Sequence, residues 1–147
     1  MKSEPDVFSI DDLEAAGSTH WDGVRNYQAR NFMRDGMKVG DRVLFYHSNA
    51  TPPGVAGVAE VCREGYPDFT AWDPNDKHFD PKTDPEAPRW MMVDIAFVNK
   101  FPELVPLQAL KDDPALADML VVQRGQRLSV QPVEKEHFDE VLRLAGA

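Results

Sequence analysis

The chain has a single cysteine, Cys62. It cannot form an internal disulfide, which excludes a small secreted scaffold held together by bridges. No apolar run reaches the length of a membrane-spanning helix, so an integral membrane protein of that kind is not expected. The start, MKSEPDVFSIDD, has no apolar leader core and turns acidic at once. A secretory signal is therefore not expected, and the expected location is the cytoplasm, or the nucleus if the source has one. A surplus of positive charge is missing as well. Sixteen Lys and Arg stand against 25 Asp and Glu, a net charge of −9. This argues against binding nucleic acid by blanket attraction to phosphates. There is no glycine-rich phosphate cradle: Gly54 and Gly57 lie between strand-like segments and not before a helix, so a nucleotide cofactor is not expected. Internal repeats and low-complexity tracts are also lacking.

What is present suits one folded domain over residues 1–147, with 42% hydrophobic residues. Charge is unevenly placed. Arg25, Arg30, Arg34, Lys38 and Arg42 face only Asp35 and Asp41 between positions 25 and 42, whereas seven acids face Lys77 and Lys82 between positions 64 and 88. PDVFSI reads as a short strand. SIDDLEAAG predicts a helix with Ser9 as N-cap and Gly17 as its stop. RNYQARNFMRDG predicts a second helix capped by Asn26 and ended by Gly36. In VGDRVLFYHSN, alternation puts Val43, Phe45 and His47 on one strand face. VAGVAEVCREG is a further strand, whose Ala56, Gly57 and Ala59 imply sharp curvature or close backbone approach. A long Pro- and Asp-rich connection precedes the strand WMMVDIAFVNKF. Helical pieces start near Pro106 and Pro114, GQRLSVQPV reads as a strand, and EKEHFDEVLRLAG as a closing helix. Without a βαβ rhythm, the fold class is α+β, with a strongly curved antiparallel sheet closing toward a small barrel.

Catalytic arrangements are poorly supported. His47 and Ser48 are neighbours on a strand and point to opposite faces, and no nucleophile elbow occurs. Cys62 reads as a small structural thiol. His78, Asp80, Asp84 and Glu86 lack metal-ligand spacing and read as a solvated loop, so no metal is expected. A binding constellation remains. Trp21 sits at a break beside Asp22 and Gly23. Tyr46, His47, Ser48 and Asn49 end a strand, Trp90 opens another, and Arg127, Leu128 and Ser129 fall on a third. Each has an ordinary reading beside this one: Trp21 as core, His47 as a satisfied half-buried imidazole, Arg30 and Arg34 as a solvated helix face.

The blocks MKSEP, HWDGVRNYQARNFMRD, GDRVLFYHSN, GVAGVAEV, YPDFTAWDP, FDPK, PRWMMVDI and RLSVQPV run in order from residue 1 past residue 130. Over nearly the whole chain the sequence resembles the EVE-domain family. The resemblance implies a PUA-like fold, a small curved β-barrel decorated with helices and related to the YTH domain, which holds a methylated adenine in an aromatic cage. It also implies a reader of modified bases, modified cytosine in DNA foremost, and not a catalyst. By that analogy Trp21 takes a base-stacking role, while Lys2, Ser3 and the Asp22–Gly23 break take backbone-contact roles. Trp90, Tyr46 and Phe69 are candidates for the rest of a cage.

The mechanism expected from these residues is a pocket for one base. Stacking on an indole contributes about 1–3 kcal/mol and does not distinguish bases. A methyl group adds only about 0.8 kcal/mol by burial. Discrimination would fall to Asn26, Ser48, Asn49 and backbone groups near Gly23, with Arg25, Arg30 and Arg34 on phosphates. Flipping a base from a duplex costs a few kcal/mol, so a single-stranded target, RNA or help from a partner protein is physically easier. No cofactor is called for. Two alternatives come from other classes: an enzyme on a small molecule or nucleobase with His47 as general base, and a protein-interaction module using the acidic loop 64–88.

Overall fold

The computed structural model describes residues 1–126 and 128–146. Their strands are β1 (Lys2–Ser3), β2 (Ser18–His20), β3 (Arg42–His47), β4 (Gly54–Pro67) and β5 (Met91–Pro106). Their helices are α1 (Ile10–Ala16), α2 (Tyr27–Asp35), α3 (Leu107–Asp112) and α4 (Lys135–Ala145). The strands form one sheet in the order β1-β3-β4-β5-β2. Neighbours are antiparallel except β1 and β3, which pair in parallel through Lys2↔Tyr46 and Ser3↔His47. The α+β class holds, and the sheet is mixed at one edge.

Local chemistry explains the helix starts. Ser9 accepts from the Asp12 amide while Asp12 accepts from the Ser9 amide, a reciprocal capping box. Asn26 caps α2 by accepting from the Gln28 and Ala29 amides. At the other end of the chain, Gly146 closes α4 in the left-handed conformation.

Strand β3 is buried on both faces. Val43 and Phe45 join one apolar cluster with Ile10, Leu13, Trp21 and Met33; Leu44 and Tyr46 join another with Phe101, Leu110, Leu116 and Val141. The sheet thus separates an α1/α2 core from an α3/α4 core. Burying Phe45 completely contributes about 1.5–3 kcal/mol. The small residues of β4 do what their size implies. A Cβ on Gly57 would lie 2.3 Å from the Asn99 carbonyl oxygen, and the β4–β5 register shifts at four places, which bends the sheet.

Two readings are corrected. Residues 5–8 form a turn, with the Val7 and Phe8 amides donating to the Glu4 carbonyl; the strand of this region is Lys2–Ser3. The described residues of 125–133 contain no strand, and Arg127 lies outside the described residues. Ser129 still accepts from the Lys2 amide at 2.8 Å. Strand β2, three residues with no readable sequence pattern, is an addition, placed by pairing with Asp94–Ala96.

Candidate functional site

The predicted site residues fall into two neighbourhoods. In the first, β1 lies against the end of β3. Lys2 Nζ stands 5.9 Å from the Tyr46 ring centroid, and the Lys2 ammonium is held below its usual pKa by burial. Ser3 donates its hydroxyl to the Phe8 carbonyl, and the Ser48 amide donates to the Ser3 carbonyl. Asn49, at φ +52, donates its side-chain amide to Glu4. Lys2, Tyr46 and Ser129 line a hollow of about 30 Å³, room for a water and not for a base.

His47 belongs here, with a definite task. Its Nε2 accepts from the Ile10 amide at 3.1 Å, which satisfies one of the orphan donors at the start of α1. Burial lowers its pKa. An imidazole whose lone pair is committed to the backbone is not available as a general base, so the enzyme alternative built on His47 loses its proton acceptor.

The second neighbourhood is organised by a carboxylate that the sequence reading passed over. Asp68 is fully buried. Its Oδ1 accepts from the Thr70 amide and hydroxyl, and its Oδ2 from the Gly23 amide and Arg25 Nη1. Burial pushes this carboxyl up, but the bonds from Thr70, Gly23 and Arg25 outweigh it and hold the pKa below the ordinary value. Arg25 completes the knot. Its remaining N–H groups reach the carbonyls of Val24 and His78 and the Thr70 hydroxyl, so all five guanidinium donors are spent inside the protein. Arg25 is an internal clamp, which corrects its expected place on a phosphate. Gly23 is required in the same knot: its φ is +77, and a Cβ there would meet His78 Nε2 at 2.4 Å.

The other two arginines are partly engaged. Arg30 donates to Asn31 and to the Arg89 carbonyl. Arg34 makes a bidentate pair with Asp35 on the surface. Asn26 spends its carbonyl oxygen on the α2 cap, leaving its NH₂ group for other partners.

The aromatic residues are placed differently from expectation. Trp21 is 9% exposed and packs edge-on against Phe45 at 5.7 Å within the α1/α2 core. Its ring is a core element and not one set aside from packing. Phe45 in turn packs edge-on against His47 at 5.8 Å, the aromatic link between the two neighbourhoods. Trp90 is also buried, donates Nε1–H to Asp80 at 2.7 Å, and stacks on Tyr27 at 4.8 Å. Tyr27 is 51% exposed, with the Arg30 guanidinium 4.7 Å from its ring. No apolar period singles it out; its place one residue after the Asn26 cap is the only signal. Phe69, 46% exposed, meets His20 edge-on. Clefts of about 660 and 800 Å³ lie away from both tryptophans, the first beside Phe32, Arg42 and Phe138, the second beside Lys111, Val122 and Arg124.

The long acidic connection is not simply solvated. Asp73, Asp76, Asp80 and Asp84 each accept from the amide two residues on, a run of Asx turns that fixes its path. Asp80 is further tied to Trp90, whose indole N–H holds that carboxyl below its usual pKa. No helix among the described residues is long and apolar enough to cross a membrane.

Comparison with known proteins adds to this geometry. The EVE domain matches residues 1–144. Human thymocyte nuclear protein 1 is 44% identical, over 98% of this chain and 72% of its own length. A crystal structure of a Pseudomonas syringae protein superposes with a TM-score of 0.95 at 47% identity, covering 99% of this chain and 97% of that one. Human THYN1, solved in complex with 5-methylcytosine containing DNA, superposes with a TM-score of 0.93 at 44% identity, covering 100% of this chain and 96% of that one.

Proposed function

The chain belongs to the EVE domain family, and from that premise we propose that it is a non-catalytic nucleic-acid-binding module that accommodates a single modified base, of the methylated-cytosine type. The observation that supports this most is the likeness, over all of the chain, to a protein solved with 5-methylcytosine containing DNA. The geometry supports a rigid reader. The turn after Trp21 is clamped through Gly23 and Arg25 to a buried carboxylate, so it is preorganised and little ordering entropy is lost on binding. The Asn26 NH₂ group and, in the other neighbourhood, Ser48 beside β1 are the polar groups left to serve a base edge. Trp21, 9% exposed, supports the turn from the core, and Tyr27, stacked on Trp90, supplies open aromatic surface.

The electrostatics favour a short or unpaired target. Of the three arginines assigned to phosphates, Arg25 is spent and Arg34 is paired to Asp35, on a chain of net charge −9. Two phosphate contacts on a single strand correspond to a log–log salt slope of about −1.4, and extrusion from a duplex would have to be met from the same small store. Fluorescence anisotropy with oligonucleotides carrying 5-methylcytosine or cytosine, single- and double-stranded, at two salt concentrations tests this. The expected result is a preference for the modified base with a shallow salt slope. Equal binding to all four, abolished by moderate salt, would overturn it. Trp21→Phe is the informative variant, because Trp21→Ala removes a core ring at a cost of about 3–5 kcal/mol and confounds binding with folding.

A further inference from the structure

A second cluster lies against the Gly23 turn. Asp22, Asp76 and His78 come together from positions more than fifty residues apart in sequence, and one ligand atom of each lies within 4.8 Å of the others. His78 Nδ1 is 3.3 Å from Asp76 Oδ1 and 3.6 Å from Asp22 Oδ2. It is shielded from solvent and has no hydrogen-bond partner. A buried ring nitrogen without a partner is an anomaly in a well-satisfied loop. The two carboxylates are also uncompensated. Among the described residues, the only basic side chains within 4.0 Å of either are imidazoles: His78 for both, and His20, whose Nε2 is 3.9 Å from Asp22 Oδ2.

We propose that Asp22, Asp76 and His78 bind a first-row divalent cation of the zinc type. A tetrahedral centre with bonds of about 2.0–2.1 Å has ligand–ligand edges of about 3.3–3.4 Å, close to two of the separations already present. The imidazole favours zinc-like ions over calcium or magnesium, which take oxygen ligands. The three side chains keep 26–29% of their surface exposed, which leaves an entry path and an open coordination position. His20 stands nearest to complete the set. The ion would neutralise the carboxylate pair and satisfy Nδ1, and it would join the turn after Trp21 to the acidic connection. The site does not depend on nucleic-acid binding.

Titration of the full chain with zinc chloride and with calcium chloride by isothermal calorimetry at pH 7.5 tests the assignment, with imidazole ¹⁵N spectra to identify the ligating nitrogen. One saturable zinc per chain is expected, not displaced by equimolar calcium, with the His78 Nδ1 resonance shifted. His78→Ala should weaken zinc binding by more than the roughly 10–100-fold that loss of an outer-shell partner costs. Asp22→Asn, which leaves the ring packing on Gly23 in place, should weaken it in the same direction and keeps the test decisive if the histidine variant fails to fold. Absence of saturable zinc binding, wild-type affinity in Asp22→Asn, equal competition by calcium, or an unmoved Nδ1 resonance would each overturn the proposal.

Discussion

Replacing Asp68 should cost more than any other single polar substitution near the site. Asp68→Ala removes the common acceptor of four hydrogen bonds: the Gly23 amide, the Thr70 amide and hydroxyl, and Arg25. The carboxylate is fully buried, and the Arg25 side chain is 24% exposed, so water can reach the stranded guanidinium only in part. Removing one partner of such a pair costs about 3–5 kcal/mol. For a chain of this size each kcal/mol moves Tm by about 2–4 °C, which gives a fall of about 6–20 °C. Urea unfolding followed by tryptophan fluorescence reads the free-energy loss, and a thermal melt reads the fall in Tm. Asp68→Asn is the finer probe, since it keeps the shape while its NH₂ group confronts one of the two donor pairs. The double variant with Arg25→Ala should lose less than the sum of the single losses, because the orphaned charge disappears with its partner. The carboxyl is held below its ordinary value of about 3.9, so its contribution is present above that pH and is lost as pH falls through the lower folded value; Asp68→Asn should abolish that acid limb. An Asp68→Ala protein within about 0.5 kcal/mol of wild type would refute the assignment of the knot.

Two further tests address the frame around the site. Burial holds the His47 imidazole below its usual pKa, so stability is complete above about 6.5 and declines as pH falls from there through the lower folded value; urea midpoints at pH 7.5 and 5 should show the decline, and His47→Gln should flatten it. Gly57→Ala places a Cβ 2.3 Å from the Asn99 carbonyl oxygen and 3.0 Å from Ile10; since backbone yields little, a loss of about 1–3 kcal/mol is expected in the same assay.

Much of the frame was legible because it is written in local chemistry. Ser9 with Gly17 and Asn26 with Gly36 mark helix ends no more than ten residues apart, and the β3 alternation needs only six positions. The residues that failed do so for a physical reason. PDVFSI has strand-like composition, but the Glu4 carbonyl gathers the Val7 and Phe8 amides into a turn. β2 is three residues long and owes its state to pairing across the sheet. The site was less legible still. Trp21, Gly23 and His47 stand out as residue types, yet their partners are far away in sequence: Asp68 lies 43 residues from Arg25, and His78 lies 53 residues from the same side chain. No spacing rule reaches that far. The one local trace of Asp68 is its role as cap for the short turn Phe69–Trp72, through the Thr70 amide. The family resemblance supplied what spacing could not, the order of blocks along the chain, but it left open which arginines are free.

Strand β3 carries a last consequence. Because Val43 and Phe45 supply one interior and Leu44 and Tyr46 the other, it is a party wall between two rooms. Deleting or inserting a single residue there exchanges every tenant at once, since a slip of one reverses the facing of each side chain that follows. Length variation among natural relatives should therefore gather in the connection between β4 and β5, and should leave the six residues of this wall untouched.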